Sequence, residues 1–85
     1  MSKAEKLLAA VRNNPHGVRF DDLLRLVVAL GFVLDRRDGS HRVYVHGARP
    51  EIPFLNLQPG KSGMAKWYQV EQLLERVDAF RLEVK

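Results

Sequence analysis

One histidine in this sequence is surrounded by residue types that act on phosphates. His41 directly follows Gly39 and Ser40, and three arginines lie close to it in the chain: Arg36, Arg37 and Arg42. A histidine side chain takes up and releases protons near neutral pH, and arginines hold anions through charge-assisted hydrogen bonds. A glycine lets the backbone approach a phosphate closely, and a neighbouring serine can orient it. The combination predicts proton transfer on an anionic substrate.

A β-hairpin is predicted to carry these residues. Two β-rich segments flank Asp38-Gly39, a dipeptide that readily adopts the positive φ of a tight turn. Because the turn is short, His41 is expected to open the returning strand. Alternation along that strand places residues 41, 43 and 45 on one face and residues 42, 44 and 46 on the other. This pattern alone does not tell which of the two faces meets the core.

Helices and a third strand complete the predicted fold. Ser2 and Glu5 form a capping box ahead of a first helix, and Gly31 is placed as the C′ residue of the second. The predicted elements are a first helix ending before Pro15, helices over about residues 20–30 and 67–81, and a third strand over 52–58. The order α-α-β-β-β-α predicts an α+β fold in which a three-stranded antiparallel sheet packs one face on helices.

Positive charge is concentrated in the middle of the chain. The 85 residues carry a net charge of +4. Residues 36–66 hold six basic and two acidic side chains, whereas the segments on either side are close to balance. An excess of this kind is expected of a face that binds polyanions, with Lys61 and Lys66 as further candidate contacts. A solvated surface explains the charge equally well.

The composition excludes disulfide-linked, thiolate-metal and helical membrane-spanning classes of protein. The absence of cysteine rules out disulfides and thiolate metal sites, and the three histidines do not fall in a known ligand spacing, so no metal or other cofactor is expected. No apolar run approaches the ~20 residues of a membrane span, and we expect no secretion signal. The chain is therefore interpreted as one cytoplasmic domain over residues 1–85, with a helical extension at 1–14 and a core over 19–82.

Three segments taken together are characteristic of a family. The runs GSHRVYVH, LNLQP and AKWYQVEQLLE, downstream of the helix FDDLLRLVVALGF, resemble the HicA-type toxins of bacterial toxin–antitoxin systems. The resemblance covers roughly residues 19–76. The tripeptide Gly39-Ser40-His41 alone is a weak signal, but its position after a helix, a glycine and a strand makes the match fairly specific. Trp67 departs from the pattern, because many relatives have proline before the Tyr-Gln pair.

The resemblance implies both a fold and an activity. It implies a fold similar to the double-stranded-RNA-binding domain and an endoribonuclease that cleaves mRNA until a HicB-type antitoxin covers it. The family's catalytic histidine carries over onto His41. Cleavage without a metal uses the RNA 2′-hydroxyl as nucleophile and needs a base, for which a histidine is suited. The residues expected to contact RNA are Gly39, Ser40, Arg36, Arg37, Arg42, Lys61 and Lys66.

Part of this site stays open at the level of sequence. Alternate residues of a strand point to opposite faces, so the three arginines cannot all line one pocket. No second proton carrier is evident, and water or a lysine can serve the leaving group. Tyr44 and Trp67 are able to stack on bases, but a core position is favoured for both. His46 is interpreted as structural, and His16 is assigned no role.

Two other functions compete with the ribonuclease. A non-catalytic RNA-binding module of the same fold would use the basic face without the chemistry. A DNA-binding winged helix has a similar order of two helices and a hairpin. The helix that would enter the DNA groove begins with Asp21-Asp22 and is apolar nearly all round, which opposes phosphate contact. Specific DNA binding is therefore not expected.

Overall fold

The computed structural model describes all 85 residues. Its elements are α1 (Lys3–Asn13), α2 (Phe20–Ala29), β1 (Phe32–Asp38), β2 (His41–His46), β3 (Leu55–Leu57) and α3 (Trp67–Phe80), with a 3₁₀ turn at Lys61–Gly63. The strands form one antiparallel sheet in the order β1-β2-β3. The predicted α+β class and element order are confirmed. None of the helices has the length and apolar character needed to cross a membrane.

The helix ends follow local signals in the sequence. At α1 the hydroxyl of Ser2 accepts from the Glu5 N–H at 3.1 Å, and the Glu5 carboxylate accepts from the Ser2 N–H at 2.9 Å. After α2, Gly31 has a φ of +102° and donates its N–H to the Val28 carbonyl at 3.0 Å. A Cβ at Gly31 would also lie 2.6 Å from Nε2 of His46. Glycine is therefore required between α2 and β1, both for the positive φ and because a side chain would clash with His46.

A single core fills the space between the helices and one face of the sheet. Its buried members are Val11, Val18, Phe20, Leu23, Leu26, Val27, Leu30, Phe32, Tyr44, Ile52, Leu55, Leu57, Val70, Leu73, Val77 and Leu82. The segment after α3 also packs against this core. Leu82 is buried, and Lys85 donates its N–H to the Ala29 carbonyl at 2.8 Å. Along β2, Tyr44 and His46 are buried while His41 is exposed. The face that carries His41 is thus the open face of the sheet.

The third strand is shorter than predicted. It spans only Leu55–Leu57, whereas a strand over residues 52–58 was expected. Ile52 is buried but lies in a turn, and Pro53 and Pro59 bracket the strand. Because proline has no N–H to give to a ladder, the two prolines limit how far β3 can pair with β2.

The hairpin turn lies one residue later than Asp38-Gly39 suggests. Asp38 is the last residue of β1 and pairs with His41, so the loop consists of Gly39 and Ser40. Gly39 has a φ of +60°, which suits the first central position of a two-residue hairpin turn. His41 opens β2, as predicted from the short turn.

Candidate active site

A β-bulge in β1 decides which arginine accompanies His41. Leu34 pairs with Tyr44 and Arg36 pairs with the next residue, Val43, so Asp35 is an extra residue without a partner. Beyond the bulge the alternation of β1 is reversed. Arg36 and Asp38 therefore share the open face with His41, although simple alternation from the buried Phe32 would place them on the helix side.

Asn56 is the nearest polar partner of the His41 ring. It lies at the centre of β3, opposite Val43, between two leucines that point into the core. Its side-chain oxygen is 3.3 Å from Nδ1 of His41. An amide oxygen only accepts hydrogen bonds, so this contact requires a hydrogen on Nδ1. In the neutral ring the lone pair is then on Nε2, and that nitrogen is left to act as a base.

The open face forms a shallow polar depression around this pair. It is lined by Arg36, Asp38, His41, Val43 and Asn56 and has a volume of about 460 Å³. One cation and one carboxylate therefore flank the imidazole. A phosphate in this depression can contact the Arg36 guanidinium while a proton passes to or from His41.

A chain of side-chain hydrogen bonds supports the hairpin tip. The amide nitrogen of Gln58 donates to the Ser40 hydroxyl at 3.1 Å, and Lys66 Nζ donates to the amide oxygen of Gln58 at 3.1 Å. The Gln58 main-chain N–H donates to the side-chain oxygen of the buried Gln69, also at 3.1 Å. The three segments that carry the family resemblance thus meet at one place, because Ser40, Gln58 and Gln69 belong to one each.

The other predicted phosphate contacts lie off the His41 face. Arg37 pairs with Arg42 in the ladder, so both side chains belong to the helix side of the hairpin. The Arg42 guanidinium stacks over the Phe20 ring at 5.2 Å from its centroid. Lys61 is exposed on the 3₁₀ turn. The prediction that the three arginines cannot share a pocket is confirmed, since only Arg36 accompanies His41.

Of the six basic residues in the segment 36–66, only Arg49 forms a salt bridge. The structure has four salt bridges, and none involves Arg36, Arg37, Arg42, Lys61 or Lys66. Arg49, in contrast, pairs with Glu51 at 3.1 Å and donates to the Phe80 carbonyl at 2.7 Å. The pKa of the Glu51 carboxyl is lowered, first by a hydrogen bond from its own main-chain N–H and then by the hydrogen bond from the Arg49 guanidinium. Arg49 is therefore engaged in structure, while the other five cations have no carboxylate partner.

The remaining histidines and aromatic residues differ in burial. His46 is buried, donates from Nε2 to the Leu30 carbonyl at 3.1 Å and accepts at Nδ1 from two main-chain N–H groups. Its structural interpretation is supported. Tyr44 is buried as predicted, but Trp67 is 51% exposed, so the favoured core position is wrong for Trp67. His16 stacks on the Trp67 ring.

The sequence reasoning missed Asn56, Gln58 and Arg19 as members of this region. Asn56 and Gln58 belong to the predicted third strand and to a family motif, and a polar residue between two strand leucines points away from the core by alternation. Arg19 is exposed and reaches the loop before α3, with its guanidinium 3.3 Å from the position of an added Cβ at Gly63. Nothing in the sequence signals that approach.

Comparison with known proteins identifies one family that matches this chain. A family model described as the HicA toxin of bacterial toxin–antitoxin systems matches residues 20–79, which is well over half of the chain. The matched segment begins with α2 and includes the sheet and nearly all of α3, while α1 precedes it. Neither a curated protein nor a solved structure matches the chain.

Proposed function

The chain belongs to the HicA toxin family of bacterial toxin–antitoxin systems, and from this premise we propose that it is a metal-independent endoribonuclease that cleaves mRNA. Membership makes it a toxin with a cognate antitoxin; the chemistry is our inference. The observation that carries this inference is the contact between His41 and Asn56, which leaves Nε2 of an exposed histidine free in a depression that Arg36 also lines.

The proposed reaction is an internal transfer at phosphorus. His41 Nε2 takes the proton of the RNA 2′-hydroxyl, the 2′-oxygen bonds to phosphorus, and the bond from phosphorus to the 5′-oxygen breaks. The products are a 2′,3′-cyclic phosphate and a 5′-hydroxyl, whose proton comes from water. Negative charge grows on the phosphoryl oxygens during this step, and Arg36 is the cation on the same face that can offset it.

The remaining basic residues are proposed to hold the RNA on either side of the cleaved bond. Arg37, Arg42, Lys61 and Lys66 lack a carboxylate partner, so each can neutralise a phosphate. Gly39 and Ser40 form the exposed turn beside His41, where main-chain and hydroxyl groups can meet the scissile phosphate.

The antitoxin is proposed to be of the HicB type and to act by covering the open face of the sheet. His41 and Asn56 are exposed there, and the helices occupy only the opposite face. A partner that places carboxylates near Arg36 would exclude RNA from His41 by competition for the same cation.

The test is induced expression in a bacterium, with growth and message integrity followed together. Wild type is expected to arrest growth and shorten mRNA, while His41→Ala, at equal soluble level, is expected to do neither. Gln72→Ala, on the exposed surface of α3, serves as the matched control and should behave as wild type. Arrest by both wild type and His41→Ala would exclude His41 as the base. Normal growth and intact mRNA with both proteins would overturn the ribonuclease and favour the non-catalytic RNA-binding module.

A further inference from the structure

The exposed aromatic cluster at the start of α3 is not explained by folding. Trp67 and Tyr68 are 51% and 52% exposed, and their rings meet edge to face at 5.9 Å. Large aromatic side chains are usually buried because they carry so much apolar area. Half exposure is shared by Phe54, but here two aromatic rings adjoin and form a continuous apolar patch, which is a candidate surface for a ligand.

His16 gives this cluster a defined planar geometry. Its imidazole lies parallel to the indole, with an interplanar angle of 11° and 5.2 Å between ring centroids. Glu71 holds the imidazole from the side through a contact of 3.4 Å to Nε2. Two flat rings are thus already stacked at the surface, and both remain largely exposed. A third flat ring can extend this stack or lie on the open part of the indole.

The cluster is continuous with the proposed RNA site. Lys66, the residue before Trp67, bonds to Gln58, which in turn bonds to Ser40 at the hairpin tip. The loop that carries His16 runs alongside the segment before α3, where the Val18 carbonyl accepts from Ala65 and Arg19 bridges to Met64. Arg19 and Lys66, neither of which has a carboxylate partner, therefore add positive charge to the segment that leads into Trp67.

We propose that His16 and Trp67 form a stacking subsite for one unpaired base of the RNA substrate. This inference rests on the proposed function and adds a substrate class to it, namely single-stranded RNA. Aromatic side chains stack on bases that are splayed out of a strand, whereas bases within an A-form duplex stay stacked on their neighbours. Arg19 and Lys66 would hold the phosphates that flank the stacked base, which lies to one side of the phosphate at His41.

The chain supplies its own probe for the subsite. Trp67 is the only tryptophan, so its fluorescence reports on this position alone. The experiment uses the full chain with His41→Ala, to prevent cleavage, and titrates it with an oligoadenylate of about ten nucleotides and with an RNA duplex of the same length. The single strand is expected to quench the fluorescence as it binds, and the duplex is expected to bind without comparable quenching.

Affinity measurements on variants complete the test, and they follow a labelled oligoadenylate because Trp67→Leu removes the only tryptophan. In the same background, Trp67→Leu is expected to weaken single-strand binding by about 10-fold, because one base–aromatic stack is lost. His16→Ala is expected to weaken it to a smaller extent. Phe54→Leu is the control, since Phe54 is exposed to a similar extent, 57%, but lies just before β3 and not in the first turn of α3. A thermal melt of each variant shows that the fold is retained.

The possible failures are distinguishable. Single-strand binding that is unchanged by Trp67→Leu, or as weak in Phe54→Leu as in Trp67→Leu, would overturn the subsite and leave the ribonuclease proposal intact. Equal quenching by the duplex would overturn the assignment to unpaired bases. Absence of RNA binding in every variant would overturn the subsite together with the proposed function. Quenching only by a co-purified antitoxin would assign the cluster to a protein contact instead.

Discussion

The imidazole of His41 and the side-chain amide of Asn56 meet across two neighbouring strands, with Nδ1 and Oδ1 3.3 Å apart. The contact joins the first residue of β2 to the middle of β3 on the open face of the sheet. It orients the ring and selects the nitrogen that carries the hydrogen, which is the usual way in which a partner prepares a histidine as a base. Asn56 is thus a positioning residue for the proposed chemistry.

Asn56→Ala is expected to lower the cleavage rate by about 10-fold, because the ring can then rotate and either tautomer is allowed. RNA affinity should change little, since the amide is not a cation. Asn56→Asp should instead move the acid limb of the pH–rate profile to higher pH, because a carboxylate beside the ring favours protonated His41. Single-turnover cleavage measured across pH checks both variants. A pH profile identical to wild type in Asn56→Asp would contradict the assigned contact.

Variants of Arg36 and Arg42 test which arginine lies on the same face of the sheet as His41. Both residues lie in the hairpin, and replacing either removes the same charge. Arg36 lines the depression with His41, whereas Arg42 stacks on Phe20. Arg36→Ala is expected to lower kcat/KM by about 10- to 100-fold with little loss of stability. Arg42→Ala should lower the free energy of unfolding by about 0.5–1 kcal/mol, through the lost cation–π contact, with a smaller effect on cleavage. Urea unfolding and cleavage assays on the two variants separate these outcomes, and equal losses of activity would refute the division.

Much of the framework could be predicted because it depends on signals within a few residues. The capping box at Ser2 and the glycine after α2 are local features, and each specifies a helix end. The position of His41 at the start of β2 also follows from the short turn alone. The three segments of the family resemblance are features of the sequence alone, and the family match over residues 20–79 contains all of them.

The composition of the open face could not be predicted in the same way. A bulge at Asp35 reverses the alternation of β1, and its position depends on how β1 pairs with β2 rather than on any residue near Asp35. The register of β1 on β2 was therefore needed to tell that Arg36, and not Arg37, shares the open face with His41. The contact of Asn56 with His41 likewise joins residues distant in sequence, and it follows from the pairing of β2 with β3.

The exposure of Trp67 has a similar cause. The helical stripe of α3 that enters the core begins at Val70, and Trp67 lies in the first turn, where His16 is its stacking partner. The pattern of residues within α3 carries no information about the loop that approaches it. Aromatic character alone favoured the core for both residues, but Tyr44 lies on the helix side of β2 opposite Leu55, while Trp67 precedes the buried residues of α3.

His46 is expected to support the fold and not the chemistry. Its ring satisfies the Leu30 carbonyl and the main-chain N–H groups of Ala48 and Arg49, at 3.1 to 3.2 Å. His46→Leu would leave these buried or partly buried groups without partners and should lower the free energy of unfolding by about 2–4 kcal/mol. Cleavage per folded molecule should stay at the wild-type level. Urea unfolding and the cleavage rate at saturating folded protein check this, and lost activity at unchanged stability would assign His46 to the site instead.

The ion pair between Arg12 and Asp78 links α1, which precedes the family match, to α3. The Arg12 guanidinium donates to the Asp78 carboxylate at 2.8 Å and holds the pKa of that carboxyl below its usual value of 3.8. A carboxyl with a lowered pKa stabilises the folded state when the pH is above its unfolded-state pKa. This contribution is lost as the pH falls through the folded-state pKa.

Asp78→Asn should therefore melt at a slightly lower temperature than wild type at pH 7. The difference should disappear in strong acid, and it should shrink in high salt because both groups are exposed. Thermal melts at pH 7 and pH 2, each with and without added salt, measure this, with Glu83→Gln as the control for an exposed, unpaired carboxylate. A difference that persists unchanged at low pH would mean that Asp78 supports α1 by packing and not by charge.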